Sequence, residues 1–240
     1  MEVVYILLLT IVASGFGTIT GFGSSTIMVP ILLMFYPLPE TLLLAGILHW
    51  FNDAWKVILF RQSPLWKTIL SFGIPGLIFG VVGAWLVLSI PQANLSRFLG
   101  TVLIGYFALI SIKSDFKIPR NVLSAMIGGS LSGFIAGIFG IGGAMRGLFL
   151  TALNLPKETY LFTSGMVALF IDTSRLITYA LGGTRLTPTL TWGLVLFIPA
   201  SFLGAELAKM IVGKIPPEKF RLLVAFFLGA VGLRLLLFPL

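Results

Sequence analysis

"ITGFGSSTIMVP", residues 19–30, decides how this chain is to be read. Two glycines, two serines and two threonines interrupt a sequence that is 58% hydrophobic and 10% charged. An unpaired peptide group in hydrocarbon costs several kcal/mol, so irregular backbone persists at membrane depth only where protein buries it or water lines it. A greasy chain that breaks itself in this way is expected to line a polar cavity with the break, or to use the small residues for close helix packing.

The surroundings of that stretch are membrane-like from end to end. Mean hydropathy is +1.07 over 240 residues. Apolar runs approaching the roughly 20 residues that a bilayer needs recur at 3–23, 38–60, 66–89, 93–112, 120–140, 158–181, 188–211 and 217–238. An all-α polytopic membrane protein follows, with no soluble domain between the spans. Only Glu2 precedes the first run and no small-residue cleavage site stands out, so that run is expected to be retained rather than removed as a signal peptide. There is no cysteine, which excludes disulfides, thiolate metal sites and cysteine nucleophiles. The formal charge of +8 sits on single bases in short loops, without the basic stripe that nucleic acid requires. No metal site and no cofactor is expected.

Two further apolar stretches, 25–36 and 144–154, are too short to span alone, and each follows a glycine-rich break. Whether each crosses as a broken segment or re-enters, the number of side changes keeps the same parity. Alternate loops then place Arg61, Lys67, Lys113, Lys117, Arg120, Lys157, Lys209, Lys214, Lys219 and Arg221 on one side, against Arg97, Arg185 and Arg234 on the other. That bias marks the first side as cytoplasmic and puts both termini outside, as in a multi-pass protein of the cell (inner) membrane.

The break also has an echo. "GFGSSTIMVPIL" from Gly21 is answered by "GIGGAMRGLFL" from Gly140, an offset of 140 − 21 = 119, and "DAWK" from Asp53 by "DTSR" from Asp172, again 172 − 53 = 119. "GIPGLIFG" from Gly73 matches "FIPASFLG" from Phe197 at a slightly larger offset. Two repeats of about five segments each are expected, 1–112 and 121–240, joined by a linker at 113–120. An odd number of segments per repeat inverts the second in the membrane, the architecture of secondary transporters that hold substrate at the repeat interface.

Within that frame the breaks become candidate sites. Helix N-termini attract anions through free N–H groups and the aligned dipole. The first break supplies Gly21, Phe22, Gly23 and the hydroxyls of Ser24, Ser25 and Thr26. The second supplies Gly140, Ile141, Gly142, Gly143, Ala144, Met145 and a full positive charge on Arg146. Gly15, Gly128, Gly133 and Gly137 read instead as packing residues. A nucleotide loop is excluded, since no strand precedes "GIFGIGG" and no Walker lysine follows.

Charges inside spans are the second candidate set. Asp53 with Lys56, and Asp172 with Arg175, are i, i+3 pairs that share a helix face. Such pairs either neutralise themselves and staple helices or mark an ion route. His49, the only histidine, stands one turn before Asp53, with Asn52 adjacent. An aspartate or histidine in such a place is a candidate coupling group. No catalytic constellation is present, neither H-E-x-x-H nor G-x-S-x-G, so an enzyme is not expected.

The paired breaks "GFGSSTIMVPIL" and "GIFGIGGAMRGLFL", the two-half layout and the Asp-x-x-basic tetrads resemble the TauE/SafE family of membrane permeases, named for sulfite export, over nearly the whole chain. Arg146 stands where that resemblance would lead one to expect a neutral residue. The resemblance implies export of sulfur-containing anions, sulfite or an organosulfonate, coupled to the proton or membrane gradient, with a small anion and the lipid bilayer as partners. The residues alone reach an anion-compatible carrier, with an anion channel built on the same half-helices and a permease for other small organic anions as alternatives. A membrane potential negative inside favours anion efflux by about 2.3 kcal/mol per charge per 100 mV. A homodimer is compatible with the apolar exterior.

Overall fold

The computed structural model describes residues 1–111 and 119–211, with positions 226, 229, 230, 232, 233, 236 and 237 of the last segment. Most of the expected linker at 113–120, and most of the expected span at 217–238, therefore lie outside the described residues. So do Lys113, Lys117, Lys214, Lys219, Arg221 and Arg234.

Among the described residues the secondary structure is all helical: α1 Glu2–Thr20, α2 Ser25–Leu32, α3 Leu38–Leu59, α4 Trp66–Ser89, α5 Gln92–Ser111, α6 Val122–Phe139, α7 Gly143–Thr151, α8 Lys157–Leu181 and α9 Pro188–Ile211. Six of them, α1, α3, α4, α6, α8 and α9, are long and apolar enough to cross a bilayer. The ends have local causes. Gly21 and Gly140 cap α1 and α6 in the left-handed conformation, φ 73° and 70°, each donating its N–H back four residues to Gly17 or Ala136. Only glycine takes that turn without a Cβ penalty. Pro37 and Pro156 stand in matching extended geometry immediately before α3 and α8.

α3 and α8 form the centre, and they are the most enclosed of the spans. The outer helices carry the exposed apolar side chains, such as Val12 on α1, Ile78 on α4, Leu123 on α6 and Val195 on α9. Hydrocarbon surrounds a membrane protein, so polar groups gather inside and apolar ones outside. Trp50 and Trp55 of α3 make polar ties to the helices beside it. Their indole N–H groups donate to Thr173 on α8 at 2.9 Å and Ser201 on α9 at 3.0 Å, tying the central helix to its neighbours.

The main packings are α1 on α9, α4 on α6, α4 on α8, α3 on α9 and α3 on α8. Exchanging α1, α2, α3 and α4 for α6, α7, α8 and α9 returns the same set of packed pairs. Small residues allow the close approaches. A Cβ on Gly133 or Gly137 of α6 would strike the carbonyl of Gly76 or Gly80 on α4, and Gly15 of α1 faces the carbonyl of Gly204 on α9.

Each short helix doubles back along the long helix before it. After α2 the Tyr36 hydroxyl donates to Glu2 Oε1 at 2.5 Å, and the Tyr5 and Phe35 rings meet edge to face at 5.5 Å. Burial and then the Glu2 carboxylate raise the Tyr36 ionisation, so this tie stays protonated. In the second half, Phe149, Leu150 and Leu153 return beside Asn121, Ser124 and Ala125 at the start of α6. α1 with α2, and α6 with α7, therefore each return the chain to the end from which it set out, and neither pair changes its side.

Two polar contacts sort the loops by end. The Gln62 amide Nε2 donates to Glu158 Oε2 at 3.2 Å, and Thr68 shares a small cavity with Pro119 and Asn121. Arg61, Lys67, Arg120 and Lys157 thus gather at one end. The Thr187 N–H donates to Glu40 at 2.9 Å, which puts the Arg185 loop at the other end, with the start of α3.

Candidate functional site

The two breaks meet. Gly143, the first residue of α7, packs so tightly on the Phe22 carbonyl that a Cβ there would overlap it, and the Phe22 ring lies against Gly147. On the other side, Gly140 contacts Val29 of α2 and Leu42 of α3. α2 and α7 therefore begin at the molecular centre and run outward toward opposite ends. Neither start is capped by a side chain, whereas the start of α6 is capped by Asn121, which accepts the Ser124 N–H at 2.8 Å.

The hydroxyls of the first break divide. Thr26 Oγ1 donates to the Phe22 carbonyl at 3.4 Å and closes the turn. Ser24 and Ser25 are fully buried, and their hydroxyls have no partner among the described residues. In the second break, Ser132 donates to the Gly142 carbonyl at 2.9 Å and fixes the loop. Ile141 and Ala144 are apolar and buried, and Met145 is half-buried. They shape the break without offering side-chain donors.

The charges converge on the same place. α3 and α8 run antiparallel, and their tetrads face each other across His49. Its Nδ1 lies 3.0 Å from Asp53 Oδ2 and its Nε2 lies 3.8 Å from Asp172 Oδ2. Lys56 pairs with Asp53, and Arg175 Nε donates to Asp172 Oδ1 at 2.7 Å. The imidazole also touches the first break, for a Cβ on Gly23 would run into its ring. Asn52 faces away, donating to the Ser14 carbonyl at 3.2 Å and accepting from Thr18 at 3.3 Å, so it joins α3 to α1.

Arg146 sits in this group with no carboxylate partner among the described residues. Its Nε donates to Ser164 Oγ at 2.9 Å, and Ser164 donates on to the Gly21 carbonyl at 3.1 Å, a chain that links α7, α8 and the first break. Its Nη2 is buried with no partner among the described residues. Its charge lies near enough to act on both Asp53 and Lys56. Asp53, Lys56 and Arg175 are 0% exposed, Asp172 and Arg146 1%, and His49 2%, so the centre is sealed toward both ends.

Three cations, Lys56, Arg146 and Arg175, therefore face two carboxylates, Asp53 and Asp172, a net of 3 − 2 = +1 with neutral imidazole. Oxygen and nitrogen donors of His49, Asp53 and Asp172 lie within 4.8 Å of one another, close enough for a metal ion by distance alone. Each carboxylate already has a cationic partner, and the surplus charge is positive. The donor set suits an anion better than a metal.

Sequence reasoning passed over Ser164, Thr163, Tyr160 and Tyr179. The Tyr160 ring covers Gly21, its hydroxyl approaching the Thr20 carbonyl at 3.5 Å, and the Tyr179 hydroxyl donates to the Gly137 carbonyl. A signal existed: Ser164, Ala168, Asp172 and Arg175 recur at helical spacing, one face of α8.

The family model for the sulfite exporter TauE/SafE matches residues 6–235. A relative from Methanocaldococcus jannaschii, named a probable membrane transporter protein, is 27% identical over 202 residues, covering 75% of this chain and 73% of the relative.

Proposed function

The chain belongs to the sulfite exporter TauE/SafE family of membrane proteins, and from that premise we propose that it is a secondary transporter exporting a sulfur-containing anion, sulfite or an organosulfonate, by alternating access. The observation that carries the reading is Arg146, a buried guanidinium without a carboxylate partner among the described residues, placed where two uncapped helix starts and two unpartnered serine hydroxyls converge. The anion is held by Arg146, by the amides opening α2 and α7, and by Ser24 and Ser25. Lys56 and Arg175 each balance their aspartate, so the net positive charge at the centre is that of Arg146.

In this reading α1–α5 and the chain from 121 onward are inverted repeats, supported by the exchange symmetry of the packed helix pairs and by the shared left-handed glycine caps. One repeat moves against the other and opens the sealed centre to alternate faces. The basic end lies in the cytoplasm of a cell whose inner membrane holds the protein, with both termini outside. A pore of the same parts is the second reading. The seal toward both ends favours a carrier, and counterflow with saturation in proteoliposomes separates a carrier from a conducting channel.

The test is binding of a panel of sulfur oxyanions and sulfonates to purified protein, with sulfate and chloride as controls. A carrier of sulfur anions binds at least one panel member more tightly than either control. No preference for any of them overturns the substrate class, and a permease of other small organic anions then replaces it.

A further inference from the structure

We propose that His49 is the charge switch of the anion site: with a neutral imidazole the centre takes a monoanion, and by taking up one proton at His49 it takes a dianion. The inference rests on the anion-carrier reading above and specifies its coupling.

The geometry isolates His49 as the group whose charge is free to change. On its own helix, Asp53 is committed to Lys56. Facing it from α8, Asp172 is committed to Arg175, the Tyr179 hydroxyl to the Gly137 carbonyl and the Tyr160 hydroxyl to the Thr20 carbonyl. From α7 comes Arg146, a permanent cation. The nearby stretches of α1 and α2 contribute Ser14, Thr18, Ser24 and Ser25, none of which ionises. On α9 the ionisable groups Glu206 and Lys209 stand beyond Ser201, the residue that receives Trp55. The imidazole lies between the two carboxylates and against Gly23 of the first break, in contact both with the charge pairs and with the backbone proposed to hold the ligand.

The charge balance then sets the rule. The centre carries +1 from three cations and two carboxylates. A monoanion neutralises it, whereas a dianion would leave one uncompensated negative charge where none of the charged groups is more than 2% exposed. Isolated charge in such a place is strongly disfavoured. Imidazole gains a full positive charge by taking up one proton and can supply the missing charge. The proton comes from water on the face the anion enters, sits between Asp53 and Asp172, and returns to water on the face the anion leaves. A dianion thus travels with one proton and a monoanion with none, and each cycle moves a single net negative charge.

Thiosulfate serves as the dianion and methanesulfonate as the monoanion, both with a charge that stays constant over the range studied. Calorimetry in buffers of different ionisation enthalpy should read uptake of about one proton per thiosulfate bound and about none per methanesulfonate. Wherever the imidazole of the free protein is neutral, thiosulfate affinity should fall about tenfold per pH unit as pH rises, with methanesulfonate affinity nearly flat. The chain has one histidine, so in tag-free protein a histidine-specific NMR label reports this ring alone and should shift to the imidazolium form on adding thiosulfate. His49→Gln should abolish the proton uptake and favour methanesulfonate; should it fail to fold, the wild-type calorimetry and NMR still decide. Thiosulfate binding without proton uptake, an imidazole signal that does not move, or uptake that persists in His49→Gln overturns the switch and leaves the carrier standing. If no anion of the wider panel binds, the carrier reading itself falls, and the switch with it.

Discussion

Arg146 and the Asp53–Lys56 pair are each buried in a setting where charge is expensive, and they are supported in different ways. Arg146 has one hydroxyl partner and a surplus donor. Removing it takes away ligand affinity more than fold stability. Arg146→Ala should weaken the preferred anion at least tenfold, about 1.4 kcal/mol, in a binding isotherm, and unchanged affinity for every panel member removes Arg146 from the site. Lys56 is held by Asp53 alone among the described residues. Asp53→Asn leaves an uncompensated buried ammonium and should destabilise the protein by about 3–5 kcal/mol, while Asp53→Asn combined with Lys56→Met recovers most of that loss. Thermal unfolding in detergent checks both, and a double variant no more stable than the single one would mean the pair does not work as a unit.

At the scale of the element, the breaks were legible because glycine and hydroxyl residues in an apolar run are a local anomaly, and because the anomaly recurs 119 residues later. The direction of the helices behind them was not. A short segment that crosses back and one that re-enters part-way leave the same parity, and what distinguishes them is that α2 and α7 have only 8 and 9 residues and start against each other at Phe22 and Gly143. Gly143→Ala puts a methyl into the Phe22 carbonyl and should cost about 1–3 kcal/mol together with transport. Gly105→Ala on α5, where no described residue lies within 4 Å, should be neutral or slightly stabilising. Equal effects of the two would mean that the breaks do not need their contact. Asn121→Ala removes the cap of α6 and should lower stability by about 1 kcal/mol with anion affinity unchanged. A change in affinity would show that α6 reaches the site.

For the molecule as a whole, the prediction concerns sidedness. Because the chain has no cysteine, single introduced thiols report without background. Thr187→Cys should react with an impermeant reagent from outside the cell, and Ser63→Cys only after the membrane is opened; the reverse pattern would invert the topology. Segment positions and charge bias were available from the sequence, because an apolar run of about 20 residues and a basic loop are properties of consecutive residues. The expected spans 38–60, 66–89 and 188–211 accordingly coincide almost residue for residue with α3, α4 and α9. What only the tertiary structure decided is the company these residues keep. His49 reaches Asp172 on a different helix, Ser164 joins Arg146 to Gly21, and Gly143 rests on Phe22. The sequence records that charges lie within apolar runs, but which charge meets which depends on how antiparallel helices are set against each other. That setting comes from small-residue contacts between segments far apart in the chain, which no local pattern encodes.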